Sequence, residues 1–246
     1  MNCFLVKSSL GRKLVMAVSG CVLVLFLLFH MAMNLAALFS AEAYNKICEF
    51  LGANWYALVG TVVLAGGVVV HFAYALLLTW QNRKARGNVR YAMTVKEEGV
   101  DWASKNMLVI GFIVLCGLAL HLVHFWSEMQ LVEIIHHLND GEGPAYNDVI
   151  VDGKKLLTTD GAALIAFTFS KWYNALVYIV WLAAIWFHLT HGVWSMFQTA
   201  GWANDKWYPR LKCLSNLVST LICGGFALVV VFFFLKENGW LCCACC

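Results

Sequence analysis

The run Ser19-Gly20-Cys21-Val22-Leu23-Val24-Leu25-Phe26-Leu27-Leu28-Phe29-His30-Met31-Ala32-Met33-Asn34 is almost unbroken apolar sequence with one histidine inside it. An apolar stretch of about 20 residues is long enough to cross the hydrocarbon core of a bilayer as a helix, which satisfies its own backbone hydrogen bonds there. A titratable side chain at that depth costs free energy unless something binds it. Three later apolar runs repeat the arrangement: His71 lies in the second, His121 and His124 in the third, His188 and His191 in the fourth. The chain reads as a helical bundle organised around these histidines.

Composition agrees. Of 246 residues, 61% are hydrophobic and 13% charged, against about 25% charged in a soluble domain. The expected fold is an all-α integral membrane protein, one membrane domain over residues 1–246. Its five transmembrane helices form an up-down bundle at about 14–39, 56–80, 107–126, 171–198 and 214–235. Ser170 is the expected N-cap of the fourth span, and Pro144 and Pro209 are expected in loops. Ala41-Glu42-Ala43 resembles a signal-peptide cleavage site, but the apolar run before it is roughly twice the length of a signal core of ~7–15 residues. It reads as the first span.

Charge orients the bundle. The amino terminus and the loops after the second and fourth spans hold 12 of 17 Lys and Arg, including Arg83-Lys84-Ala85-Arg86, Arg90, Lys96 and Lys105. The opposite face, with the loop after the first span, the outer loop 127–170 and the carboxy terminus, holds 10 of 14 acidic residues. The positive-inside rule makes the amino terminus cytoplasmic and the carboxy terminus outer. Ten cysteines include no C-x-x-C-H run, which disfavours covalent haem attachment. Cys21, Cys116 and Cys223 read as small core residues, and Cys242-Cys243-Ala244-Cys245-Cys246 as an untuned tail rather than a metal, disulfide or lipid site.

Rise per residue converts position into depth. His30 lies roughly 24 Å from the inner end of the first span, His71 roughly 14 Å from that of the second and His191 roughly 10 Å from that of the fourth. His121 sits about 14 residues into the outward-running third span. His30 and His121 are therefore outer, His71 and His191 inner. Two pairs at two depths suit two haems, each ligated by two imidazoles from two helices, their irons roughly 10–15 Å apart in depth. A lone histidine on an apolar helix is more often a hydrogen-bonded interior residue; depth-matched histidines on four helices favour the joint reading.

His124 and His188 each lie three residues from a preferred ligand on nearly the same helix face. They are candidates for a haem propionate, for a quinone or for ligation itself, and depth does not choose between His188 and His191. His136 and His137 read as solvated loop residues. Gly20, Gly66, Gly67, Gly111, Gly117 and Gly192 would let a flat macrocycle approach the backbone, although small residues are equally the stuff of close helix packing.

At this point the residues resemble a known family. Ser8-Ser9-Leu10-Gly11-Arg12-Lys13, Ser19-Gly20 and His30-Met31-Ala32-Met33-Asn34 resemble the start of the cytochrome b558 membrane anchor of succinate dehydrogenase and fumarate reductase. Gly117-Leu118-Ala119-Leu120-His121-Leu122 and His191-Gly192-Val193-Trp194-Ser195-Met196-Phe197-Gln198 resemble its third and fourth helices. The resemblance covers the first four spans and their order; the fifth adds little, and the cysteine tail has no counterpart.

The resemblance implies a five-helix anchor with two haem b groups, the distal one on His30 and His121 and the proximal one on His71 and His191. It implies an iron–sulfur subunit and an FAD flavoprotein docked on the cytoplasmic face of a bacterial inner membrane, with the basic inner loops as the docking surface. It also implies menaquinone or menaquinol bound near the distal haem, where a glutamate handles the quinol proton; Glu42, Glu49 and Glu128 are the candidates. Pairing of whole complexes as a dimer is left open. The chain has no G-x-G-x-x-G fingerprint and no ferredoxin-like cysteine run, so the dicarboxylate chemistry belongs to other chains. Two rivals remain. One is a diheme anchor for a formate dehydrogenase, hydrogenase or nitrate reductase. The other is a transporter using its histidines for protons or metal, which would favour internal repeats and broken helices.

Overall fold

The computed structural model describes residues 8–86, 102–139, 141–202 and 204–241. The basic stretch around Arg90 and Lys96 and the tail Cys242–Cys246 lie outside them. Among the described residues, five helices are long and apolar enough to cross a membrane. The first is α1 (Ser9–Leu35), capped by Ser8, whose hydroxyl accepts the Gly11 N–H at 2.8 Å, and prolonged by a 3-10 turn over Ala36–Leu38. A short amphipathic helix α2 (Ala41–Phe50) follows, with Ser40 as its N-cap, and then α3 (Trp55–Arg86). Both caps satisfy amide groups that a helix start leaves without partners.

The third span departs most from expectation. After the short turn α4 (Trp102–Lys105), α5 (Met107–His121) runs without interruption into a π-helix over Leu122–Leu131 and then α6 (Val132–Leu138). The polar residues from Ser127 to Glu133 suggested a loop; they stay helical because several find partners. Gln130 Nε2 donates to the Gly52 carbonyl at 3.1 Å, its Oε1 accepts from Thr61 Oγ1 at 2.9 Å and Trp126 Nε1 at 2.7 Å, and Glu133 Oε2 accepts the Ala53 N–H at 2.9 Å. A Cβ on Gly52 would lie 2.5 Å from that carboxylate, so only glycine lets the loop approach so closely.

The remainder of the expected outer loop is also ordered. Strands β1 (Tyr146–Val151) and β2 (Lys154–Leu157) pair antiparallel around Asp152-Gly153. Both turn residues have positive φ, 51° and 77°, the requirement of a tight hairpin turn. Then α7 (Gly161–Ser170), capped by Asp160, buries Leu164, Ile165 and Phe169.

The fourth span is α8 (Trp172–Thr199) and the fifth α9 (Tyr208–Glu237). Ser170 does not cap α8. It is the last residue of α7, its hydroxyl donates to the Phe167 carbonyl, and Lys171 holds the cap position without a side-chain bond. Pro209 is not in a loop but in the first turn of α9, where a missing N–H costs nothing.

Helix α8 is central, packed on α1, α5 and α9, while α3 lies along α1. The tightest seam is α8–α9. There Ser215, fully buried, donates to the Thr190 carbonyl at 2.8 Å, and Trp186 Nε1 donates to Thr220 at 3.0 Å. Small hydroxylated residues of this kind let membrane helices approach closely. At the other extreme, no residue in the most apolar window of α3 is buried. The end of the bundle where α1 begins is the near end. The far end is covered by α2 and α7, which pack on one another; burial there pushes the Cys48 thiol up to about 11.

Candidate functional site

The antiparallel spans bring the histidines to two levels. At the far level His30 on α1 and His121 on α5 face one another edge to face, ring centroids 5.9 Å apart. At the near level His71 on α3 meets His188 on α8, centroids 6.2 Å apart. Two imidazole nitrogens bound to opposite sides of one metal, each about 2.0 Å away, would put the ring centroids about 6 Å apart. Both pairs have that spacing.

The separation of the levels can be read twice. Gly20, at the near level against His71, is ten residues before His30; Gly111, at the near level against His188, is ten residues before His121. Both helices therefore give about 15 Å between levels.

The family resemblance pairs His71 with His191, a choice over His188 that depth alone leaves open. In the structure the ring beside His71 belongs to His188, while that of His191 packs edge-on against Trp194 at 5.2 Å. Three residues turn a helix by about 300°, so the two side chains point about 60° apart. The Nδ1 atom of His188 is buried and makes no hydrogen bond among the described residues.

Local contacts aim the rings. Ser19 Oγ lies 3.1 Å from the Met16 carbonyl and 3.1 Å from His71 Nδ1. With its single hydrogen on the carbonyl, the hydroxyl accepts the Nδ1–H of His71, which leaves Nε2 with its lone pair. A Cβ on Gly20 would approach His71 Cε1 to 3.3 Å, so the bare helix face makes room for the ring. At the far level the walls are aromatic. His30 stacks on Phe26 and tilts against Phe226, and His121 lies between Phe125 and Trp181. The Trp181 indole rests directly on the bare backbone of Gly117, where any Cβ would overlap it, and donates to the Val114 carbonyl at 3.0 Å. Gly66, Gly67 and Gly192 have no such neighbour within 4 Å among the described residues.

His124 lies toward the far end from His121, its Nδ1 3.1 Å from the Tyr178 hydroxyl. The three glutamate candidates have these surroundings. Glu42 forms an exposed ion pair with Lys46 at 2.7 Å. Glu49 lines a far-end cleft of about 400 Å³ with Asn45 and Asp160, and Glu128 sits half-buried on the π-helix. His137 is exposed and His136 partly covered, at the end of α6. Sequence reasoning missed Ser19, Trp181, Tyr178 and Gln130, whose roles depend on partners from other helices; only the placement of Gly117 and Gly20 hinted at what packs there. Comparison with models of protein families, with curated proteins and with solved structures found no match to the chain.

Proposed function

We propose that this chain is a diheme cytochrome b membrane anchor of the quinol:fumarate reductase or succinate dehydrogenase type. It would exchange electrons between menaquinone or menaquinol in the bilayer and an iron–sulfur and flavoprotein pair. The observation that carries the reading is the coincidence of two histidine pairs, at 5.9 and 6.2 Å between centroids, on four helices of membrane-spanning length. Two b-type haems at these levels would supply a one-electron relay across most of the bilayer.

The chain's own residues do the holding and the aiming. His30 and His121 serve the far haem, His71 and His188 the near one. Ser19 fixes the His71 tautomer, and Gly20 and Gly117 admit what a side chain would block. His191 adjoins the near level as the alternative ligand suggested by the family resemblance. The near end carries Lys13, Arg83, Lys84, Lys105, Lys206 and Arg210; in this reading it faces the cytoplasm and docks the soluble partners, and menaquinol reacts at the far end. The dicarboxylate is handled in the flavoprotein.

The test is a pyridine haemochrome assay on the purified chain. Two b haems per chain are expected. A colourless chain would sink the electron-transfer reading and bring forward transport of protons or metal through the same histidines. Co-purification with an iron–sulfur and a flavin subunit separates this anchor from those of formate dehydrogenase, hydrogenase or nitrate reductase.

A further inference from the structure

Helix α9 is 30 residues long. By helical rise that is about 45 Å, close to the ~40–45 Å of a bilayer with its headgroups. The last turn of α9, which carries Lys236, therefore lies at headgroup level at the far end. There the end of the first span borders α2, α7 and α9 around a cleft of about 450 Å³, lined among others by Phe39, Ser40, Asn45, Asp160, Phe232 and Lys236. Small-ligand sites have volumes of about 300–1,000 Å³. The cleft adjoins the one beside Glu49, with which it shares Asn45 and Asp160.

The cleft carries a charged group of each sign. Lys236 is exposed, its ammonium 5.8 Å from the centroid of the Phe233 ring, and it makes no ion pair among the described residues. Asp160 is half-buried. It accepts from Asn45 Nδ2 at 2.8 Å and from the Ala163 N–H at 3.2 Å, and both bonds fall on Oδ1. Its Oδ2 has no hydrogen-bond partner among the described residues. Ser40 Oγ accepts the Ala43 N–H at 3.1 Å, which leaves its own hydrogen to donate. A lysine at a helix end and an aspartate at a helix start each suit the helix dipole. That preference does not account for the apolar half of the cleft. Phe39 is 87% exposed at the end of a membrane span, and Leu228, one turn before Phe232 on the same face of α9, is 62% exposed. Together they make an apolar track from the cleft into the bilayer.

We infer that this cleft holds the headgroup of an ethanolamine phospholipid from the far leaflet. The phosphate accepts from Lys236 Nζ and Ser40 Oγ, and the ammonium donates to Asp160 Oδ2. The glycerol and one acyl chain cover Phe39, Phe232 and Leu228. The two charges choose among lipids. Phosphatidylglycerol brings a phosphate but no cation for Asp160, whose charge repels it. Phosphatidylcholine brings a cation with no N–H to donate. Soluble phosphoethanolamine has both charges and none of the apolar contact. The bound lipid would tie the start of α2 to the start of α7 and the end of α9. The inference requires the membrane-spanning helices and nothing of the electron-transfer reading.

The experiment follows lipid binding to the detergent-solubilised full chain by native mass spectrometry. Phosphatidylethanolamine, phosphatidylglycerol and phosphatidylcholine with identical acyl chains are titrated, and soluble phosphoethanolamine beside them. The wild type should prefer the ethanolamine lipid about tenfold over each other lipid, and bind phosphoethanolamine at least about tenfold more weakly than that lipid. In Asp160→Asn the side-chain carbonyl still accepts from Asn45 and Ala163, so α7 keeps its cap; the preference over phosphatidylcholine should shrink to about twofold or less. Lys236→Gln should weaken all three lipids alike, by about three- to tenfold, with helix content unchanged. Equal or absent binding of the three lipids to wild type, or a preference for phosphatidylglycerol, overturns the proposal. So does an ethanolamine preference that survives Asp160→Asn, or lipid binding that Lys236→Gln leaves untouched. Phosphoethanolamine bound as tightly as its lipid overturns the assignment to the bilayer.

Discussion

His30 and His121 are set by rings, with Phe26, Phe226, Phe125 and Trp181 around them; His71 is set by the Ser19 hydroxyl and the bare face of Gly20, with Gly111 under His188. The two levels present the same pair of imidazoles at nearly the same spacing, yet their surroundings differ in kind. Aromatic packing holds a ring by shape and tolerates small shifts of its own members. A hydrogen bond fixes one nitrogen and so selects the tautomer and the free lone pair. The far level should therefore be sensitive to bulk and insensitive to single polar groups, and the near level the reverse.

Substitutions at the two glycines should separate the levels most. Gly117→Leu drives a side chain into the Trp181 indole, which must leave the flank of His121; haem content should fall from two per chain to one, with the far haem missing. Overpacking of this kind costs about 1–3 kcal/mol of stability, which thermal denaturation would register. Gly20→Val is the near-level counterpart, and it should remove the near haem in reduced-minus-oxidised spectra while sparing the far one. If either variant loses both haems with the helix content intact, the levels are coupled and the contrast fails.

A smaller effect is expected from Trp181→Phe. It keeps an aromatic wall but gives up the bond to Val114, about 1 kcal/mol, and should lower the denaturation midpoint with both haems retained. Ser19→Ala tests the polar side of the contrast. A hydrogen bond worth about 1 kcal/mol limits the change in the near-haem potential to about 40 mV, given 59 mV per tenfold for one electron; the far potential should not move. The least effect belongs to His191→Ala, which should keep two haems because its ring turns toward Trp194. Loss of the near haem there, with His188→Ala harmless, would return the ligand to the position that the family resemblance implies.

Much of the architecture is legible in the sequence because an uncharged apolar run in a chain this hydrophobic has one stable destination. The spans near 14–39 and 171–198 correspond to α1 and α8 at Ser9–Leu35 and Trp172–Thr199. The third span continues past residue 126 because Gln130 and Glu133 are satisfied by Gly52, Ala53 and Thr61, with Trp126 beside Gln130 on the same helix; no local pattern announces the first three, which lie about 70–80 residues away. The β1–β2 hairpin was missed although Asp152-Gly153 is a turn signal, since the polar residues around it suggested solvated loop.

Which histidines share a helix level follows from rise, and His30 with His121 could be paired that way. His188 and His191 differ by less than one turn, and their facing depends on how α8 is rotated by its contacts with α1, α5 and α9. Rotation of that kind is a product of packing between helices, which rise arithmetic does not contain.

The most direct test of the central claim is a comparison of reduced-minus-oxidised spectra and haem content for His30→Ala and His71→Ala beside the wild-type chain. The account predicts two haems in the wild type and one in each variant, with each variant missing a different spectral component. Loss of the same component from both, or of neither, would contradict the assignment of one haem to each level.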